Sequence, residues 1–406
     1  MSGSNPASCQ PLEGLLVLDL TRLLPGPLCT MMLGDYGAEV IKVEDTVAGD
    51  PTRFVGPVID GSGAFFRQLN RNKKSLAVDL KNKKGCELLV RLVKKADILV
   101  EGFRPGVMDR LGLGYSELSS VNPRLIYASI SGYGQKGPYR SRAGHDINYT
   151  ALAGLLDLSA AADGAPVMPA VQIADIAGGS LTAINGIMFA LYRCEKSGRG
   201  SHVDIAITRG LLPWLTYASS GLTGQNPELP RRDSGYITGA YACYNLYKTA
   251  DGAYMSLGAL EPQFWQRFCE AVGRPQWTSL QFDPASRRSL IEEVQALFEE
   301  RSRAEWEKFF AEVDACCEPV LSLQEVPDHP VCSEGGYWLN SGEIKGGPEL
   351  MTGFPLLFDG AAGERRLNPP KLGEHTIEIL RSAGYEEGNI EEMIRVGVVA
   401  TEQEKQ

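Results

Sequence analysis

The stretch LLVLDLTRLLPGPLCTMMLGDYGAEVIKVE, Leu15 to Glu44, reads as strand, helix, strand. LLVLDL is an apolar run of strand length. Pro25 and Pro27 suit the first turn of a helix, where a missing N–H leaves no bond unmade. Gly34 to Gly37 suit its end, and VIKVE supplies the second strand. Outward from this unit the pattern repeats: SLAVDL as strand, KGCELLVRLVKKA as amphipathic helix, DILVE as strand and, after another helical stretch, RLIYASIS as strand. A long, mostly apolar helical segment follows Asp175, and KSGRGSHVDIAI adds a turn and one more strand. Strands alternating with helices of this length predict an α/β fold, with a parallel sheet covered on both faces.

At 406 residues the chain exceeds the size at which one core stops growing, so two domains are expected. The boundary falls at SSGLTGQNPELPRRDS, Ser219 to Ser234, a connector rich in glycine, proline and arginine. This gives a large domain over 1–218, a linker over 219–234 and a smaller α+β domain over 235–334. The small domain opens with YNLYKTADGAYMSLGAL, a hairpin turning at Asp251-Gly252. Residues 335–406 return to the large domain and end in two short docking helices, HTIEILRSAGYEEGNIEEMIRVGVV.

A hydrophobic content of 43% with 22% charge is an ordinary globular composition. The net charge of −10 argues against nucleic acid as the main partner, because a phosphate backbone needs a basic field. Nine cysteines without a CxxC pair or zinc-type spacing predict reduced thiols and no metal site. No basic-then-apolar leader is visible, and the apolar run around Leu181 to Tyr192 is too short to span a bilayer. The final EKQ is no peroxisomal address, so a cytoplasmic protein away from membranes is expected.

Three groups suit proton transfer: His145 in GHDINY, Asp175 in VQIADIAGG and Glu261 in GALEPQFW. Each has a plainer reading, as a loop histidine, a helix N-cap and a first-turn glutamate favoured by the helix dipole. Spacing alone does not bring them together. Basic residues cluster in NRNKK, Asn70 to Lys74, and EGFRPGVMDR, Glu101 to Arg110. Both sit at ends of expected strands, where open α/β sheets bind ligands, and both also fit a solvated charged face. GYGQKG, Gly132 to Gly137, matches G-x-G-x-x-G, but PYRSRAG after it has no apolar helical period. A tight loop fits it better than a dinucleotide site.

LDLTRLLPGPLCTMMLGDYGAEVIKVE, NRNKKSLAVDLK, FRPGVMDRLGLG, NPRLIYASISGYGQKGP and LGEHT together resemble the family III CoA-transferase superfamily over nearly the whole chain. That resemblance implies acyl-CoA thioester chemistry without a separate cofactor, a Rossmann-like large domain and an interlocked homodimer. The transferases of the family resemble the chain at Asp175, where their aspartate carries the acyl group as a mixed anhydride. The α-methylacyl-CoA racemases resemble it at GHDINY, at Asp175 and at ALEPQF, which makes the racemase branch the nearer match. The resemblance implies that His145 and Asp175 exchange the α-proton from opposite faces and that Glu261 orients the imidazole.

For CoA itself, the resemblance implies contacts with Leu69, Asn70, Arg71 and Asn72, with Arg104 and Arg110, and with the backbone of Gly144, His145, Asp146, Ile147, Asn148 and Tyr149. The family often places an arginine where this chain has Asp45, after Glu44, and Arg53 is the expected replacement. Branched fatty acyl, bile-acid and aryl-propionyl groups would all present the same α-carbon.

Overall fold

The structure, a computed structural model, describes residues 10–159, 161, 164–223, 234–333, 337–344 and 347–402. Contacts divide the chain into two units. The first comprises Met1–Ala153, Pro169–Pro213 and Glu334–Gln406, and the second Gly154–Met168 and Trp214–Ser333. Gly154–Met168, expected in the large domain, therefore clusters with the second unit. A short helix, Thr216–Ser220, occupies the start of the expected linker, and residues 224–233 of that linker lie outside the described residues.

Six parallel strands form the first unit's sheet: β1 (Leu16–Leu20), β2 (Glu39–Glu44), β3 (Lys73–Val78), β4 (Ile98–Glu101), β5 (Ile126–Ser131) and β6 (Ser201–Ala206). Their order is β3-β2-β1-β4-β5-β6. A short C-terminal strand, Val399–Ala400, adds an antiparallel edge beside β3. The sequence VGVV reads as the end of a helix, and only the free edge of β3 makes it a strand.

Successive residues point to opposite faces, so each strand feeds two cores. Leu18, Ile41, Leu76 and Leu99 face helix α2 (Lys83–Val93) and the two C-terminal helices, Thr376–Ser382 and Glu387–Arg395. Val17, Val40, Ile98 and Ile126 face the opposite core, to which α1 (Pro25–Asp35) contributes Cys29 and Leu33. Helix α3 (Asp146–Leu152) adds Tyr149, and α4 (Thr182–Ser197) adds Ala183, Ile187 and Ala190. Helix α4 continues without a break from a π-helical segment, Ala174–Leu181. The combined run, Ala174–Ser197, is long and apolar enough to cross a membrane, which corrects the expectation that it is too short. Its inner face is buried in this core, which is the usual reason for such a composition in a core helix.

Charged residues are buried among the parallel strands, where unbroken apolar runs are the rule. Asp19, Lys42, Asp50 and Lys73 are all 0% exposed. Lys73 Nζ lies 2.9 Å from Asp19 Oδ2 and also donates to the carbonyl of Pro27. Lys42 Nζ pairs with Asp50 at 2.9 Å and donates to the carbonyl of Thr21. Burial alone would raise the pKa of Asp19, but Lys73 and Lys42 hold its carboxyl well below the usual carboxylate range. A third buried pair joins Arg71 to Asp35 through Nε and Nη2, at 2.9 and 2.6 Å.

In the second unit, β7 (Tyr244–Lys248) and β8 (Tyr254–Gly258) form a hairpin across Asp251-Gly252, and β9 (Cys317–Pro319) pairs with β8. Helices α5 (Pro262–Ala271), α6 (Arg287–Phe298) and α7 (Arg303–Phe310) cover it through an aromatic core of Trp265, Phe268, Phe298 and Trp306.

Removing one partner of a buried ion pair leaves the other charge unpaired, at a cost of roughly 3–5 kcal/mol. Arg71→Met is expected to lower the unfolding free energy by about 3 kcal/mol, read from the urea midpoint at an unchanged m-value. A loss below about 1 kcal/mol would show that Asp35 accepts a proton instead.

Candidate active site

Strand order reverses at β1: the chain moves outward through β2 and β3, then returns to the other side of β1 with β4. Ligands of open α/β sheets bind at such a point, beyond the carboxyl ends of the strands. A cleft of about 330 Å³ lies there, within the first unit. Its floor is the turn after β1, including Arg22, Leu23 and Pro25, and the loop after β4, including Phe103 and Arg104. The loop leading to α3 closes it with Arg140, Arg142, Gly144 and His145, and Asp175 reaches it from the π-helical segment.

The floor is held under strain. Leu23 has φ 68°, a left-handed backbone that a branched side chain rarely adopts. Its N–H points to Asp50 Oδ1 at 3.3 Å, so the buried carboxylate that pairs with Lys42 also fixes this turn. The Arg22 guanidinium lies 5.3 Å from the centre of the Phe103 ring, linking the two floor loops.

His145 is the exposed residue before α3, and its N–H donates to Asn148 Oδ1 at 3.0 Å. Tyr149, one turn along α3, is buried and donates to the carbonyl of Gly144 at 2.6 Å. The close approach needs glycine: a Cβ on Gly144 would stand 2.7 Å from the Tyr149 ring, and one on Gly132 2.5 Å from it. Burial pushes the Tyr149 hydroxyl up to about 12, so it stays a neutral donor.

Asp175 is half-buried at the start of the π-helical segment, a winding often found at functional sites. Asp146 Oδ1 accepts from the Asp175 N–H at 2.9 Å, so the aspartate of GHD fixes the backbone of the second acid–base candidate. Burial, reinforced by the Asp146 charge and opposed by His145, raises the Asp175 carboxyl to about 6. Ser180 Oγ donates to the carbonyl of Pro25 at 2.7 Å and ties this segment to the cleft floor.

The structure thus brings His145 and Asp175 to one cleft. Glu261 belongs to the second unit, exposed just before α5. Of the expected CoA contacts, Arg104, Gly144, His145 and Tyr149 line the cleft, whereas Asp146, Ile147, Asn148 and Arg110 are not part of its lining. The expectation for LNRN is corrected. Leu69 is buried, Asn70 joins the carbonyl of Phe66 to Lys73, Arg71 is bound to Asp35, and Asn72 bonds Asp35 and the backbone of Glu364, Arg366 and Leu367. These side chains hold the fold together. Arg53 is corrected likewise: it is buried and grips Glu44 at 2.8 and 2.7 Å, so its charge is already matched.

Arg22, Arg140 and Arg142 also line the cleft, and no motif in the sequence marks these loop arginines as ligand contacts. The GYGQKG loop turns through positive φ at Gly134 and Gly137, and no helix begins before Asp146. A dinucleotide pyrophosphate would find no helix N-terminus there.

The sequence pattern of CoA-transferase family III matches residues 12–376. Alpha-methylacyl-CoA racemase of Homo sapiens is 37% identical over 383 residues, 92% of this chain and 94% of that protein. Succinyl-CoA:glutarate CoA-transferase of Mus musculus is 34% identical over 407 residues, 98% of this chain and 92% of that protein. The crystal structure of a CaiB/BaiF family protein from Brucella suis superposes with a TM-score of 0.79 at 30% identity, covering 92% of this chain and 99% of that one.

Because the folded carboxyl of Asp175 titrates near 6, above its ordinary value of 3.8, folding favours its neutral form. Its contribution to stability is complete below about 3.8 and is lost as pH rises through about 6. Asp175→Asn is therefore expected to melt higher than the parent protein at pH 7.5, with the gap narrowing toward pH 4. A gap that is constant with pH would contradict the raised carboxyl.

Proposed function

The chain belongs to CoA-transferase family III and is an enzyme of the transferase and racemase type, and on that premise we propose that it interconverts the (2R) and (2S) epimers of 2-methylacyl-CoA thioesters. The observation that carries this reading is the pairing of His145 with Asp175 on one cleft, the carboxyl raised to about 6. The α-proton of a thioester is a very weak acid, so its removal calls for a base on one face of the carbon and an acid on the other. A carboxyl raised to about 6 and an imidazole on the same cleft suit the two tasks.

In one direction the Asp175 carboxylate takes the α-proton, leaving an enolate, and the His145 imidazolium returns a proton to the opposite face. With the other epimer the roles exchange. Such general acid–base work contributes roughly 10²–10⁴-fold. Glu261 is proposed to orient the imidazole, and the active protein is proposed to be a homodimer. Arg22, Arg104, Arg140 and Arg142 supply the cationic surface that the phosphates of CoA need.

The transferase reading rests on the same carboxylate, which would attack the thioester carbonyl, release CoA thiolate and hold the acyl group as a mixed anhydride. The likeness to succinyl-CoA:glutarate CoA-transferase favours it. A single experiment separates the two. One epimer of 2-methylacyl-CoA is incubated with the protein in D2O without an acceptor acid, and the α-proton is followed by NMR beside His145→Ala. Exchange with inversion that falls at least about 100-fold in the variant is expected. No exchange, with CoA transfer only after succinate is added, would give Asp175 the nucleophile's part.

A further inference from the structure

A second, smaller cavity of about 190 Å³ adjoins the cleft at Arg104, still within the first unit. Arg104 borders both. At the back of this cavity is Glu101, the last residue of β4, only 4% exposed and matched to no basic side chain among the described residues. Its Oε2 accepts the N–H of Phe103 at 2.9 Å. Ser129, its partner in the register of β4 with β5, hydrogen-bonds the same carboxyl, and Ser129 Oγ lies 2.9 Å from His202 Nε2 on β6. The His202 ring is itself clamped, stacked 5.2 Å from Tyr115 and edge-on to Tyr127.

A buried carboxyl without a cation is costly, and a fold that keeps one uses it for something. What Glu101 grips is the N–H of Phe103, the second residue of the loop that enters the cleft. The first side chains of that loop are Phe103, which carries the Arg22 guanidinium on its ring, and Arg104. We propose that Glu101 is a positioning residue for the CoA thioester, holding Phe103 and Arg104 on the cleft wall, with Ser129 and His202 bracing its carboxyl from behind. This rests on the reading of the cleft as a CoA site, but on neither of the two chemistries.

The hydroxyl of Ser129 has one hydrogen, so the chain has a direction. When Glu101 is ionised, Ser129 donates to it and accepts from the His202 N–H. When Glu101 carries the proton, it donates to Ser129, which donates in turn to His202 Nε2, the neutral ring then holding its proton on Nδ1. Burial raises the Glu101 carboxyl to about 7, which favours the neutral arrangement that glutamine mimics.

The test is calorimetric binding of acetyl-CoA to the full chain. E101A is expected to weaken binding about ten-fold, which is about 1.4 kcal/mol. E101Q, which keeps an acceptor for the Phe103 N–H, is expected to recover most of that loss. In an R104A background, E101A should add less than about three-fold, because a residue that acts through another has little left to do once that one is gone. Should E101A not fold, S129A serves in the same cycle, with a loss of about three-fold expected only where Arg104 is present. Unchanged binding in E101A or in its substitute S129A, or losses that simply multiply with R104A, would overturn the proposal. A parent protein that binds no acetyl-CoA would overturn the reading of the cleft and this proposal with it.

Discussion

The ion pair between Lys73 and Asp19 is the constraint on which the cleft depends. It spans β1 and β3 across the intervening β2 and is wholly excluded from water. Two charges in that position are tolerable only if their remaining hydrogen-bonding capacity is filled. The groups that fill it are the Thr21 N–H, the Thr30 hydroxyl, the Pro27 carbonyl and Asn70. Most of these belong to the turn after β1 or to the start of α1, which is the cleft floor. The cost of burying the pair is thus offset by bonds that also fix where Arg22, Leu23 and Pro25 stand.

From that floor the catalytic candidates are reached in two steps. Pro25 receives the hydroxyl of Ser180, which anchors the π-helical segment that carries Asp175. Asp175 in turn donates its N–H to Asp146, next to His145. Each link is a hydrogen bond between segments far apart in sequence. A weak turn in the floor would therefore be felt at the carboxyl and at the imidazole, although neither touches the ion pair.

The strands and main helices of the large unit were legible because hydrophobic period and the proline and glycine signals fix them locally. Basic residues were harder. Arg71 and Lys73 look in sequence like a phosphate-binding cluster at a strand end, and Arg53 like a substitute for a missing arginine. All three are buried, and each has a carboxylate partner on another element: Asp35, Asp19 and Glu44. Nothing in a one-dimensional pattern distinguishes an arginine that meets a ligand from one that meets an aspartate 36 residues away. The loop arginines at 22, 140 and 142 had the opposite fate, unremarkable in sequence and gathered by the fold into one cleft.

The sequence by itself determined the alternation of strand and helix, the parallel sheet and the residue types available for proton transfer, since each follows from patterns a few residues long. Only the tertiary structure decided that His145 and Asp175 share a cleft, that Lys42 and Lys73 are internal, that Val399–Ala400 is a strand and that Glu101 lies behind the loop bearing Arg104. The reason is physical: burial, ion pairing and a shifted carboxyl depend on distances between segments that the chain closes only when the whole sheet has formed.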